Sequence, residues 1–499
     1  MLNFKKKKMK NKYITLALVG SIFFSVSCSR DFLEVPPTEA ISTSNLELYN
    51  NDEGAKGFVN AAYAQLLEWD TTSFAWIGMT SITSDEADKG SDPGDAGSDK
   101  DLMDALTFDS SSGSVSDVFK GNYEGINKCN QAIQYLPLLT NANQALRNRL
   151  TAEAKFLRAY YYFNLVRCFG GVPIMDHVPN PASQEDNIAL LTRKTKEEVY
   201  GQIEKDLKDA IEGLPDKSAY GAADLGRATK GAALGLMTKV ALYQKKWNDV
   251  ITYGTQITGY SLTPDYAEIF KISGENNQES IFEIQSVGGT VDSQLSNPGI
   301  RQYSQVQAPR GAGGWGWGFN TPSQTLINAY ETGDTRKAAT IMFAGQTLYD
   351  GRLLPATVSN PQYNYKAYSP SFSGENYASQ NLRVLRYAEV LLMLAEAYNE
   401  QGNTSQAITL VDQIRNRAGL PDTEASSQSD VKLAIWKERR FELAMEHDRW
   451  FDLIRTGQAQ AAMAADGKTF VVGKHEVFPL PSNFMIQAAN YSTQNPGYN

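Results

Sequence analysis

Aromatic side chains are concentrated in and beside the loop-rich parts of this 499-residue chain. Binding sites are usually built on such loops. A flat ring there covers the CH face of a sugar, while neighbouring Asp, Asn, Arg or Gln side chains fix the hydroxyls. For each ring the competing interpretation is a side chain packed in the core. The candidate sugar-stacking residues are Trp69, Trp76, Tyr303, Trp315, Trp317 and Phe319.

Three carboxylates near the C-terminus resemble catalytic groups. Glu438, Glu442 and Glu446 fall one turn apart on a predicted helix that also carries arginines. Like charges at this spacing repel unless cations lie between them, so the pattern predicts an ion-pair network. The three histidines are far apart in sequence, and the chain has no HExxH, CxxC pair or nucleophile elbow. A glycoside hydrolase stays open as an alternative, because its two carboxylates leave no local signature.

Two further patterns imitate ligand motifs. Residues 311–316 fit the dinucleotide fingerprint G-x-G-x-x-G, but Pro309 and Arg310 stand where a strand should precede it, and Trp315 would obstruct a pyrophosphate. A group of aspartates lacks the alternating spacing of a calcium loop, which favours a solvated acidic loop. We therefore expect no cofactor and no metal. The aspartates are Asp92, Asp95, Asp99 and Asp101.

The N-terminal segment predicts export and lipid anchoring. Lysines within 5–12 precede an apolar stretch, Tyr13–Val26, that is too short to span a bilayer, and small residues lead to Cys28. Cleavage of a signal peptide, residues 1–27, would leave Cys28 as an acylated N-terminus that anchors the protein to a membrane without spanning it. Ser25 departs from the leucine that is usual three positions before such a cysteine. A transmembrane anchor is the weaker alternative.

Charge, length and cysteine content narrow the class of protein. The formal net charge is −9, and removal of the six lysines within residues 1–27 makes the mature chain more acidic. An acidic surface repels phosphate backbones, which argues against a nucleic-acid partner. The length predicts two domains or one scaffold with large insertions. Cys129 and Cys168 are interpreted as buried free thiols rather than as a disulfide.

Helical periodicity covers most of the chain, so the fold is predicted to be mainly α. Apolar residues recur at spacings of three and four, with Gly or Pro near the ends of each run. Between a helical scaffold at about 45–260 and 381–460, a segment at about 261–380 predicts loops and short strands such as Ser280–Gln285. Helices are predicted near 51–69, 117–137, 145–168, 195–213, 229–245, 384–400, 404–417 and 429–456.

Two segments resemble tetratricopeptide-type helix pairs. Ala232–Ile257 and Val390–Ile414 each combine small residues at a predicted helix crossing, an aromatic near the end of the first helix and a short turn. Their wide separation along the chain excludes a regular array. We therefore predict scattered helix pairs that form a right-handed scaffold.

Short motifs extend over nearly the whole chain after Cys28. They are Asp31–Glu34 (DFLE), Leu165–Pro173 (LVRCFGGVP), Gly333–Arg336 (GDTR), Arg386–Val390 (RYAEV), Ala395–Ala397 (AEA), Ile414–Gly419 (IRNRAG), Glu438–Leu443 (ERRFEL), Arg449–Arg455 (RWFDLIR), Phe478–Pro481 (FPLP) and Gln494–Tyr498 (QNPGY). In order and spacing they resemble the SusD/RagB lipoproteins of Bacteroidetes. Asn490–Ser492 departs from the Asn-Pro usual there.

This resemblance implies one SusD-like domain over residues 28–499, on the outer membrane and exposed at the cell surface. It implies a glycan-binding subunit that is not an enzyme. Such a subunit acts as a hinged lid on a SusC-like TonB-dependent transporter and delivers an oligosaccharide or polysaccharide to it. The sequence Gly316–Gly318 resembles a recurring family feature, so a structural role for Trp315 and Trp317 stays open. A helical-repeat adaptor that binds protein alone is a further alternative.

Overall fold

A computed structural model describes residues 46–95, 98–286, 301–370 and 380–498. The predicted signal peptide and Cys28 lie outside the described residues. Residues 46–50 belong to a separate unit and hold one short 3-10 helix, Leu46–Tyr49. The chain from Asn51 onward forms the second unit, which contains the elements described below.

Helices dominate the structure, as predicted. Thr195 and Glu198 form a capping box at the start of one helix, and the Asn143 side chain caps another. No helix among the described residues has the length and apolar composition needed to cross a bilayer. The α-helices are Asp52–Gln65, Trp69–Thr72, Phe74–Ile77, Ser98–Asp104, Gly113–Tyr135, Gln144–Phe169, Gln184–Leu191, Lys196–Gly213, Lys230–Tyr243, Trp247–Gly254, Arg301–Gln307, Gln324–Ala329, Arg336–Thr340, Tyr387–Glu400, Thr404–Arg417, Gln428–Glu442, Arg449–Thr456, Ala459–Ala465 and Ser482–Ala488.

The three longest helices of the first half of the chain, Gly113–Tyr135, Gln144–Phe169 and Lys196–Gly213, pack side by side. The first two of these helices approach closely at Gly125, which has no side chain. A Cβ added there would lie 2.4 Å from the Tyr161 ring of the neighbouring helix. The two thiols predicted to be free are free and buried on these helices.

The two predicted tetratricopeptide-type segments form helix pairs. Although the sequence predicts scattered pairs, the structure packs the second helix of one pair against the first helix of the other. Gly254 lies at this contact, where an added Cβ would be 2.8 Å from Leu394 Cδ2. The pairs are Lys230–Tyr243 with Trp247–Gly254, and Tyr387–Glu400 with Thr404–Arg417.

In the described part of the chain, six short strands form three antiparallel pairs. The strand predicted at Ser280–Gln285 is confirmed and ends one residue earlier. The helix predicted near 384–400 begins only at Tyr387, because the residues before it pair as a strand. The pairs are Ala87–Gly90 with Phe319–Pro322, Ser280–Ile284 with Leu382–Arg386, and Ile341–Phe343 with Gln362–Asn364.

The helix predicted near 429–456 is broken after Glu442. Met445 and His447 have φ values of 64° and 72°. Residues other than glycine adopt such values only at a cost in conformational energy. In the segment between the two helices, the Glu446 carboxylate contacts two buried cations, those of Lys366 and Arg386. The local hydrophobic periodicity does not predict this break, because the break depends on contacts with distant segments of the chain.

Buried ion pairs join the C-terminal helices to distant segments. Arg336 Nη1 lies 2.5 Å from Glu438 Oε1. Arg386 lies 2.8 Å from carboxylate oxygens of both Glu442 and Glu446. The ion-pair network predicted for these glutamates is confirmed, but their cations come from elsewhere in the chain and not from the same helix.

The network holds the carboxylates of Glu442 and Asp452 in the charged form, whereas burial raises the pKa of Glu438. Burial alone would raise the pKa of Glu442, but three surrounding guanidinium groups keep that pKa well below its usual range. Burial acts in the same way on Asp452, and Arg439 and Arg455 overcome it to lower the pKa. Each arginine is therefore needed to keep a buried negative charge compensated.

Replacing Arg386 with methionine should destabilise the protein strongly. The variant removes the one cation that contacts Glu279, Glu442 and Glu446 together, and loss of one partner from a buried ionic group costs about 3–5 kcal/mol. Denaturant unfolding followed by circular dichroism measures the change.

The matched control is Lys437→Met, since this side chain is 52% exposed and pairs with Glu331 at the surface. An exposed pair contributes less than about 1 kcal/mol. Equal stability of the two variants would contradict the role given to Arg386.

Candidate functional site

The candidate binding site is an open groove of about 520 Å³ beside the glycine-rich loop that follows the helix Arg301–Gln307. Its lining combines two tryptophans with charged and amide side chains, which is the composition that sugar recognition requires. The lining residues are Asp92, Gln305, Arg310, Gly311, Gly314, Trp315, Gly316 and Trp317.

Backbone hydrogen bonds fold this loop back onto the helix. The N–H groups of Trp315 and Gly316 both donate to the Pro309 carbonyl, at 2.8 and 2.9 Å, and the Trp317 N–H donates to the Gln305 carbonyl at 2.9 Å. A side chain at position 316 would meet neighbouring atoms at 2.4 Å, so the turn requires glycine. The glycine run thus follows a helix and closes a turn, whereas a dinucleotide site needs a preceding strand.

Three of the candidate residues gather with Phe74 in an aromatic cluster at the groove. The ring centroids of Trp69 and Trp317 are 5.8 Å apart, with planes inclined by 54°. Phe74 contacts both rings, at 5.4 and 6.2 Å, and Phe319 at 4.7 Å. Phe319 is buried and backs the cluster, whereas Trp69 and Trp317 are partly exposed. Two tryptophans that are far apart in sequence therefore form one surface.

The structure places Trp76 and Tyr303 in the competing, core-packed role. Trp76 is 5% exposed and packs against a C-terminal phenylalanine. The Tyr303 hydroxyl forms a 2.7 Å hydrogen bond with His447 Nε2 in the interior. Trp315 is also buried, because the guanidinium of Arg352 lies 3.6 Å from its ring centroid. The faces of these rings are covered, which leaves Trp317 and Trp69 as the stacking candidates.

A charged rim lies along the groove. Arg310 Nε donates to Asp92 Oδ2 at 3.0 Å, and its Nη2 donates to Asp95. The Ser91 N–H donates to the Gly318 carbonyl at 2.6 Å, which ties the rim to the loop. A hydrogen bond from Ser91 lowers the pKa of Asp95, and the charge of Arg310 adds to this effect. The rim therefore presents both acceptors and donors.

The acidic segment is ion-paired, and Asp99 and Asp101 lie on the helix Ser98–Asp104, which corrects the expectation of a solvated loop. Besides the two pairs made by Arg310, Asp99 lies 2.8 Å from Lys100 and Asp101 lies 2.7 Å from Lys89. Across the described ranges, no group of His, Cys, Asp and Glu side chains has the arrangement of a metal site.

Among the residues that line the candidate groove, Gln305 and Arg310 are not predicted from the sequence. In the sequence, Arg310 serves only as an argument against a nucleotide-binding motif. Two features indicate its position at the groove: it is a cation beside a glycine run, and another segment has an excess of aspartates that could pair with it.

Comparison with known proteins agrees with this architecture. Residues 278–498 match a model of the SusD family, and residues 53–242 match a model described as starch-binding associating with outer membrane. SusD-like protein P2 of Formosa agariphila is 30% identical, over 99% of this chain and 100% of that protein. A SusD-like protein of Bacteroides ovatus is 25% identical, over 89% of this chain and 82% of that protein. A solved laminarin-binding SusD-like protein is 29% identical with a TM-score of 0.75, covering 90% of this chain and 100% of that chain.

The chain therefore belongs to the SusD/RagB family of Bacteroidetes proteins, and the resemblance seen in its motifs is confirmed. Arg336, Arg386 and Glu442 lie in those motifs and supply the buried ion pairs. Trp69 lies outside the motifs, whereas Trp317 lies within Gly316–Gly318, which also resembles a family feature. The motifs that hold Arg336, Arg386 and Glu442 thus mark the scaffold.

Replacing Arg310 with alanine should loosen the rim without unfolding the protein. The variant loses both ion pairs to residues 91–95, but the Arg310 side chain is 34% exposed, so the effect on global stability is small. We expect faster amide hydrogen exchange in residues 91–95, measured by mass spectrometry.

Lys56→Ala is the matched control, because Lys56 is also 34% exposed and pairs with Glu53. It should leave exchange in residues 91–95 unchanged. Unchanged exchange in the Arg310 variant would contradict the role of this side chain in ordering the rim.

Proposed function

We propose that the groove binds a glycan chain, with Trp317 as the main stacking ring and Trp69 beside it. The observation that carries the proposal is this partly exposed pair of rings at an open groove with a charged rim. Because the two rings are inclined by 54°, they suit successive sugars of a curved chain better than one flat ring. Gln305, Arg310 and Asp92 line the same groove and supply donors and acceptors for the hydroxyls.

Two comparisons support a glycan ligand. One matching family model is described as starch-binding, and a relative of known structure is a laminarin-binding protein. Laminarin is therefore the first ligand to test, within a panel of polysaccharides on affinity gels. An open groove with few rings favours micromolar affinity, which corresponds to about 8 kcal/mol.

Trp317→Ala should weaken binding of laminarin about tenfold. Removal of one stacked ring costs on the order of 1 kcal/mol or more beyond lost area, and about 1.4 kcal/mol is a factor of ten. Isothermal titration calorimetry measures the affinity, and circular dichroism confirms that the variant is folded.

The control for this experiment is Trp247→Ala, which removes another partly buried tryptophan, on the helix Trp247–Gly254. Its affinity should equal that of the wild type. If Trp317→Ala and Trp69→Ala both retained full affinity for every glycan that the wild type binds, the proposed site would be wrong.

We propose that the protein binds without catalytic turnover. The carboxylates that most resemble a catalytic set, Glu438, Glu442 and Glu446, are engaged by buried cations and support the fold. The experiment is to incubate purified protein with the retained polysaccharide and assay reducing sugar. Release of reducing ends by pure protein would favour the glycoside hydrolase instead.

We further propose that Cys28 carries a lipid anchor and that the protein delivers its glycan to a SusC-like TonB-dependent transporter at the outer membrane. The signal-like sequence before Cys28 supports the anchor, and the description of one matching family as associating with the outer membrane supports the location. The helical scaffold supplies a surface for a permanent partner that leaves the groove free.

Cys28→Ala should release the protein from the outer membrane. The variant lacks the acylated thiol, so membrane fractionation should recover it in soluble fractions and labelled palmitate should not be incorporated. Pull-down of a tagged wild-type protein in mild detergent should recover a much larger barrel transporter. Membrane retention of the variant with label still incorporated would contradict the anchor, and recovery of the protein alone would contradict the partnership.

A further inference from the structure

A tight hairpin presents a tyrosine at the protein surface. The Leu348 N–H donates to the Arg352 carbonyl at 2.8 Å, and the Gly351 N–H donates to the Leu348 carbonyl at 3.0 Å. Gly351 has a φ of 86°, which only glycine adopts without strain. Tyr349 lies at the tip and is 42% exposed.

The neighbours of Tyr349 hold its ring in place. The ring stacks on Tyr365, with centroids 5.8 Å apart and planes inclined by 28°, and the Tyr349 N–H donates to the Tyr365 hydroxyl at 2.8 Å. Tyr368 contacts Tyr349 at 5.5 Å and donates its hydroxyl proton to Asp350 at 2.7 Å. A ring that is already ordered loses little conformational entropy when a ligand stacks on it.

The same side chains connect the hairpin to the groove. The Tyr368 ring also contacts Trp315, with centroids 6.1 Å apart, and Arg352 of the hairpin covers Trp315. Trp315, Leu348 and Tyr368 belong to one buried hydrophobic cluster. The hairpin and the floor of the groove therefore share a packed core, which fixes the position of Tyr349 relative to the groove.

We propose that Tyr349 is a second stacking position, which binds a sugar further along the glycan chain held by Trp317. This inference rests on the function proposed for the groove. Asp350 is adjacent to Tyr349, and Lys271 Nζ, which also pairs with Glu268, lies over the Tyr349 ring at 5.0 Å from its centroid. A sugar that stacks on this ring takes the place of the Lys271 ammonium and finds both charged groups within reach of its hydroxyls. Two stacking positions on one rigid base favour a glycan long enough to reach both, because the second contact forms at high effective concentration. The preferred ligand is thus a polysaccharide or long oligosaccharide, and a trisaccharide, which reaches only one stacking position, binds more weakly.

The test compares a polymer with a short oligosaccharide. Calorimetry is performed with laminarin and with laminaritriose or, if the affinity gels select another polysaccharide, with that polymer and its trisaccharide. Tyr349→Ala should weaken polymer binding about fivefold to tenfold and leave trisaccharide binding within about twofold. Trp317→Ala should weaken both. Tyr349→Phe keeps the ring and should bind as the wild type does.

The matched control is Tyr491→Ala, which removes another exposed tyrosine, at 44% exposure, and should change neither affinity. Polymer binding that depends on Trp317 but is unchanged in Tyr349→Ala would overturn the second stacking position and leave the proposed function intact. Absence of any glycan binding by the wild type would overturn both. Equal losses for polymer and trisaccharide in Tyr349→Ala would also overturn the inference, because Tyr349 would then belong to the primary site.

Discussion

Compensation of buried charge is the constraint on which this structure depends. Glu442 is fully buried and contacts arginines from three separate segments of the chain. Removing a carboxylate from water is costly, and the cost is offset only when all of its partners arrive in the correct geometry. The segments must therefore assemble together, which fixes one helix pair against the helix Gln428–Glu442. The three arginines are Arg336, Arg386 and Arg417.

The same network contacts the loop-rich segment at about 261–380. Burial lowers the pKa of Lys366 to about 8, although Glu446, whose carboxylate lies 2.8 Å away, opposes the shift. The Tyr266 hydroxyl donates to the Glu442 carbonyl at 2.6 Å. Lys366 directly follows Tyr365, on which the Tyr349 ring stacks. Loops with few regular elements are thus joined by a salt bridge and a hydrogen bond to the buried ion-pair network.

Sequence reasoning predicts what is local here and fails where the outcome depends on distant partners. The helices follow from apolar periodicity, which is a local property. The partner of Glu438 is not local, since Arg336 reaches it from about a hundred positions away. Trp76 and Trp317 look alike in sequence, because both stand beside loops. Trp76 is buried by the C-terminal helices and Trp317 is not, so the exposure of a ring is decided by tertiary packing that its neighbours in sequence do not encode.

Trp315 and Trp317 show how one short segment divides two tasks. Trp315 is enclosed by Arg352 and Tyr368, so it fastens the glycine-rich loop to the hairpin core. The Trp317 ring contacts Trp69 instead, and part of it is exposed to solvent. In the site proposed above, affinity comes from a few contacts, and rings that are already ordered lose little conformational entropy on binding. The buried Trp315 holds the loop that carries Trp317, so the proposed binding surface depends on both rings.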